Sequence, residues 1–236
     1  MKNILFKLAL LVSFSSFGQS TDFKNYVSTK ENKFKSSKKA NIAYNKGSRF
    51  FDIGDFDNAI AQFTITIEDD KKQKYFSTDA YIGRASAYTQ INDLTSTIND
   101  YSEIINFEKD PLYLIIAFVG RGTTYGYLGN FDKAIDDFKM AIGLEPNSVD
   151  ALYNLSRLYL QISDSKNALK YSIKAEKNYK NQKLNNPLLF SSICYNKGVA
   201  KYSLNISTYC DDFMLSVKFK NSMSKEQLQF IENVCH

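Results

Sequence analysis

Histidine is almost missing from this chain: the single one, His236, is its last residue. Without an internal imidazole, the usual serine-protease triad and the paired-histidine zinc protease arrangement are unavailable. Neither G-x-S-x-G nor the phosphate-cradling G-x-x-x-x-G-K occurs, and no C-x-x-C spacing offers a metal site. Adjacent acids do occur, at Asp69-Asp70, Asp136-Asp137 and Asp211-Asp212. Neighbouring residues on a helix point about 100° apart, so such pairs do not converge on one substrate as acid and base. The sequence therefore points to no enzyme, no cofactor and no metal. Glycine (10) and proline (3) are also scarce among 236 residues, and 44% of the chain is hydrophobic against 23% charged. That is an ordinary soluble globular profile, long enough for one large domain or a string of repeats.

The first residues stand apart. Lys2 and Lys7 form a positive end, Leu8 to Phe14 is a short apolar run, and the small residues Ser16 and Gly18 precede Gln19. This is the pattern of a secretory signal peptide over residues 1–18, cleaved after Gly18. The apolar run is too short to span a bilayer, and no cysteine follows the cleavage point to take a bacterial lipid anchor. The expectation is an exported chain, periplasmic or secreted, with no membrane span after processing. Removal of the segment lowers the formal charge from +5 to +3. Residues 19–40 hold six lysines against Asp22 and Glu31, so the basic character sits in an N-terminal arm and the remainder is near neutral. A flexible, lysine-rich linker over 19–38 is the plain reading; polyanion or envelope-polymer binding through it is the alternative. No nucleic-acid partner is expected.

An internal repeat organises the rest. Gly122-x-x-Tyr125, Gly129-Asn130-Phe131, Ala134, Phe138 and Ala141, closed by Pro146, recur upstream as Gly47-x-x-Phe50, Gly54-Asp55-Phe56, Ala59, Phe63 and Thr66. They recur as Ala85-x-x-Tyr88, Asn92-Asp93-Leu94, Thr97, Tyr101 and Ile104, and as Ser156-x-x-Tyr159, Ser163-Asp164, Ala168, Ser172 and Ala175. A weaker fifth copy starts at Gly198. The small anchors at 47, 85, 122, 156 and 198 are spaced by 38, 37, 34 and 42 residues. The pattern resembles the tetratricopeptide repeat over roughly residues 36–220, most completely at 115–148.

The resemblance implies an all-α solenoid of antiparallel helix pairs within 39–236. Its units fall at about 40–73, 78–111, 115–148, 149–182 and 191–220, with a cap helix over 224–235. The motif order then has physical reasons. The anchors let the second helix of each pair approach closely against Ala59, Thr97, Ala134 and Ala168, and the aromatics three residues on fill the adjoining space. Gly54 and Gly129 end first helices in a left-handed conformation that costs glycine little. Asp55, Asp93, Asn130 and Asp164 follow as N-caps of second helices. Arg84 with Asp100, and Arg121 with Asp137, lie at matching places 16 residues apart, which predicts an Arg–Asp bridge across each of those two hairpins. The other units hold Lys46 with Gln62, and Leu155 with Tyr171, at those places.

At the C-terminal end, CYNKGVAKYSLNISTYCDDFMLSVKF resembles a terminal tetratricopeptide unit of exported bacterial proteins, with Asn205 in place of the turn glycine and a turn to Cys210 shorter by one residue. Ser224 to Gln227 is a capping box, and Leu228, Ile231, Val234 and Cys235 form one face of the cap helix. From the residues alone, three cysteines admit one disulfide with a leftover thiol or three reduced packing residues. The resemblance implies a Cys210–Cys235 bond, with Cys194 a buried small hydrophobe. Members of the family bind extended peptides or a partner helix on the concave side lined by first helices. The residues carried to that face are Tyr44, Asn45, Ser48 and Phe51; Asp79, Ile82 and Ser86; Val119, Thr123 and Tyr127; and Tyr153, Asn154 and Arg157. The basic clamp that some members use for a terminal carboxylate is absent. The expected function is thus a non-catalytic scaffold for protein–protein interaction.

Overall fold

The computed structural model describes residues 38–70, 77–218 and 223–235. The expected signal segment, the arm through residue 37 and His236 lie outside the described residues. Those described form eleven helices: α1 (Lys38–Asp52), α2 (Phe56–Asp69), α3 (Ser77–Gln90), α4 (Leu94–Phe107), α5 (Pro111–Tyr127), α6 (Phe131–Leu144), α7 (Val149–Gln161), α8 (Ser165–Asn181), α9 (Pro187–Ser203), α10 (Tyr209–Val217) and α11 (Lys225–Cys235). The chain divides into two compact units, one running to Asn130 and holding α1–α5, the other starting at Phe131 and holding α6–α11.

First helices end by one device. The residue seven places after each small anchor is left-handed: Gly54 (φ 80°), Asn92 (61°), Gly129 (75°), Ser163 (64°) and Asn205 (57°). The next N–H then turns back to a carbonyl five residues earlier, as in Asp55 to Phe50 (2.9 Å), Asp93 to Tyr88 (2.9 Å), Asn130 to Tyr125 (2.9 Å), Asp164 to Tyr159 (2.8 Å) and Ile206 to Lys201 (2.9 Å). Asparagine and serine therefore do the work of glycine in three of the five turns. Asp55, Asp93 and Asp164 at once cap the following helix, each side chain accepting from the N–H three residues on.

In the N-terminal unit, Phe63 of α2 sits in a cluster with Ala59, Ile67, Ala80 and Ala87, and Tyr101 of α4 in another with Ile82, Ala85, Ile104, Tyr113 and Ala117. Both rings lie against glycines of the next first helix. A Cβ at Gly83 would fall 2.6 Å from Phe63 Cζ, and one at Gly120 only 2.3 Å from Tyr101 Cζ. Each second-helix aromatic is thus wedged beneath the backbone of the following repeat.

In the C-terminal unit, Leu152, Tyr153, Ala175, Tyr179, Leu189 and Ile193 knit α7, α8 and α9 together. Tyr195, Val199, Phe213 and Ile231 tie α9 and α10 to the cap helix, where Phe230 meets Phe213 and Tyr202 edge-on at ring separations of 5.7 and 5.5 Å. Cys210 and Cys235 form a disulfide between α10 and α11, and Cys194 is a free, fully buried thiol. Ser224 Oγ accepts from Gln227 N and Gln227 Oε1 accepts from Ser224 N, a reciprocal cap at the start of α11.

Candidate functional site: the first-helix face

Position relative to the small anchor decides what each first-helix side chain touches. The residue just before the anchor reaches the second helices. Arg84 Nε and Nη2 donate to the two carboxylate oxygens of Asp100 at 2.9 and 2.7 Å, while its Nη1 donates to Thr64 Oγ1 at 2.9 Å. One guanidinium therefore joins its own hairpin to the second helix of the preceding one. Arg121 occupies the same place on α5 and donates to Ser102 Oγ on α4 at 3.0 Å. Its expected partner Asp137, buried on α6, belongs to the other unit.

The fifth repeat carries the same device, which the sequence reading missed. Lys197, just before Gly198, bonds Glu176 of α8 and Asp212 of α10, the latter at 2.7 Å, and Lys201 joins Asp212 at 2.7 Å. Burial alone would raise the Glu176 carboxyl, but bonds from Lys180 and Lys197 prevail and hold it below its ordinary value. For Lys197 burial pulls the other way, and the two carboxylates outweigh it to raise the ammonium. The signal was legible in principle. Lys197 and Asp212 are 15 apart rather than 16, because the core aromatic Phe213 arrives one residue early after the anchor although α10 itself begins late. A search at fixed spacing passes over the pair.

Three residues before the anchor, the chain has turned only about 60° from the packing seam. Tyr153 sits there, and the structure removes it from the expected binding surface: it is 6% exposed, inside the cluster that joins α7 to α8 and α9. Ile82 and Val119, at the same place in their repeats, are buried as well, and Tyr44 packs on Phe63 with ring centroids 5.8 Å apart. Asp79 is also buried, accepting from Tyr113 Oη at 2.8 Å. Asn154 is 8% exposed; its Nδ2 donates to the Asp150 carbonyl and its Oδ1 accepts from Arg157 Nη2 at 3.4 Å. Its fourfold-spaced backbone bond makes it a helix-internal group rather than a free amide. Phe51 is half-buried and meets Phe56 edge-on at 5.5 Å.

One residue after the anchor the direction is about 100° from the seam. Ser48, Ser86, Thr123 and Arg157 share this place and are half-buried. The three hydroxyls each donate to the carbonyl one turn back on their own helix, at 3.2, 2.9 and 2.7 Å. Asn45 is exposed and donates to Asn41 Oδ1 on the same helix, and Tyr127 is half-buried. Ser48 and Thr123 are thus bonded along their own helices, whereas Ser86 also bonds the Tyr101 phenol on α4 and the Arg84 and Lys197 row bonds between helices. Among the described residues no three His, Cys, Asp or Glu side chains gather as metal ligands, and no helix is long and apolar enough to cross a membrane.

Tetratricopeptide repeat profiles match residues 44–110, 115–148 and 149–182, together more than half of the chain. The chain belongs to the tetratricopeptide repeat family. Proteins of this family generally act as scaffolds for protein–protein interaction rather than as enzymes. Among solved structures, this tetratricopeptide repeat protein is similar to a MamA protein at 17% identity and a TM-score of 0.60, covering 76% of this chain and 91% of that one. A MamA fragment from Desulfovibrio magneticus aligns at 12% identity and a TM-score of 0.64, covering 81% and 100%. A tetratricopeptide repeat protein from Parabacteroides merdae aligns at 14% and 0.54, covering 80% and 81%. At such identities the likeness concerns the fold alone. No curated protein sequence matches the chain.

Proposed function

We propose that this protein is an exported, non-catalytic scaffold whose first helices present a peptide or partner protein with a binding face. The observation that carries the reading is the contrast between Arg84 and Lys197 on one row and Ser48 and Thr123 on the other. Arg84 and Lys197 are committed to bonds between helices, whereas Ser48 and Thr123 spend their single hydroxyl proton on their own backbone and retain oxygen lone pairs that can accept from a ligand. Family membership supports the same conclusion. Export is supported by the Cys210–Cys235 disulfide, a bond that persists in oxidising compartments.

A photo-crosslinking residue placed at Ser48 or Thr123, and for comparison at Asn99 or Lys139 on second helices, tests the face directly in the native host. Discrete adducts from Ser48 and Thr123 but not from the second-helix positions are expected. Equal yields from both sets, or none from the first helices, would overturn the assignment. Mass spectrometry of the exported fraction tests processing, with a mature N-terminus at Gln19 as the expected result.

A further inference from the structure

Helix α8 differs in charge from every other second helix. It holds five lysines, at 166, 170, 174, 177 and 180, and one acid, Glu176. That acid is buried and bound by Lys180 and Lys197, so of the five lysines it pairs with Lys180 alone. At 100° per residue the five lysines fall within a stripe about 120° wide, and from first to last they extend about 21 Å along the helix. All five are exposed. Lys166, Lys174 and Lys177 make no ion pair with any described residue, and Lys170 lies 5.3 Å from the ring of Tyr171. In the middle of the stripe sits Ile173, 49% exposed.

We infer that the outer face of α8 docks the protein on an anionic phospholipid bilayer. The charge complement must be negative, and three features of the stripe select a lipid surface among polyanions. Lysine without arginine offers diffuse point charges rather than the bidentate fork that reads individual phosphates or carboxylates. The stripe itself holds no aromatic residue to serve as a stacking platform for single-stranded nucleic acid, and the half-buried Tyr171 beside it is already stacked on Tyr159 of α7. Ile173 gains by entering the boundary between headgroups and acyl chains and gains nothing against a hydrated polymer. The inference is independent of the partner-binding face, because α8 is a second helix and the proposed ligand row lies on first helices.

The test is co-sedimentation of the exported chain with vesicles of phosphatidylcholine alone and of phosphatidylcholine mixed with phosphatidylglycerol. Binding to the anionic vesicles only, weakened by added salt, is expected. Each lysine near such a surface contributes about a factor of five, so replacing Lys166, Lys170, Lys174 and Lys177 together by Gln lowers partitioning roughly several-hundredfold. Lys180 is left in place because it bonds Glu176. Circular dichroism establishes that the variant is folded, and the single change Ile173→Ser, which leaves every charge intact, lowers partitioning by a smaller factor. Substituting Lys24, Lys30, Lys33 and Lys35 by Gln instead leaves binding through α8 in place. Equal binding to neutral vesicles, loss with the arm variant but not the α8 variant, or binding to heparin without vesicle binding would each overturn the inference.

Discussion

Replacing Gly120 by alanine asks whether the Tyr101 ring sets the spacing between α4 and α5. The added Cβ would lie 2.3 Å from Cζ, 2.6 Å from Cε2 and 2.8 Å from Cε1 of a ring that is 4% exposed. Carbon atoms rest about 3.5–4.0 Å apart, so ring or backbone must move by about 1 Å or more. The ring has little room to retreat, being packed among Ile82, Ala85, Ile104, Tyr113 and Ala117. Overpacking of this kind costs about 1–3 kcal/mol, and a contact this short belongs at the upper end. Against it stands the preference of a helix for alanine over glycine, about 1 kcal/mol. The expected net is a loss of about 2 kcal/mol. Gly143 on α6 supplies the control, since its added Cβ meets nothing within 4 Å and the same substitution gains about 0.5–1 kcal/mol. Urea unfolding followed by far-ultraviolet circular dichroism should move the two midpoints in opposite directions. If Gly120→Ala unfolds with Gly143→Ala, the wedged ring does not determine the helix spacing.

Three further outcomes follow from the bonding described. Arg84→Met leaves Asp100 buried without its main partner and should cost about 3–5 kcal/mol, whereas Arg84→Met with Asp100→Leu should recover most of it in the same unfolding assay. Because Glu176 is held below its ordinary value of 4.5, it contributes stability above that value and loses it as pH falls through the lower folded one; an unfolding series across that interval should show the loss, and Glu176→Gln should lack it. Burial pushes the Cys194 thiol up to about 12, so alkylation at neutral pH should label no cysteine in the folded, unreduced protein, one after unfolding and three after reduction. Labelling of Cys210 or Cys235 without reductant would contradict the disulfide.

The repeat, the helix pairing and the turn-and-cap order were legible in the chain, because each depends on residues close in sequence. A left-handed residue seven places after an anchor, followed by an aspartate, serves both ends of a turn through bonds to neighbours at most five residues away. Even so, Asn92, Ser163 and Asn205 were harder to recognise than the glycines, since their left-handed backbone is imposed by the turn rather than advertised by the side chain. The Arg84–Asp100 contact was likewise accessible, because a hairpin of fixed length converts sequence spacing into spatial register. Tyr153 and Lys197 mark where that conversion stops. Whether an aromatic at the edge of the seam faces a ligand or the core depends on Leu189 and Ile193, far along the chain, closing over it. Whether Lys197 meets Asp212 depends on a turn that shifts the register by one residue. Local spacing specified the helices and their caps. Which polar side chains are spent on holding those helices together was decided only by packing between repeats.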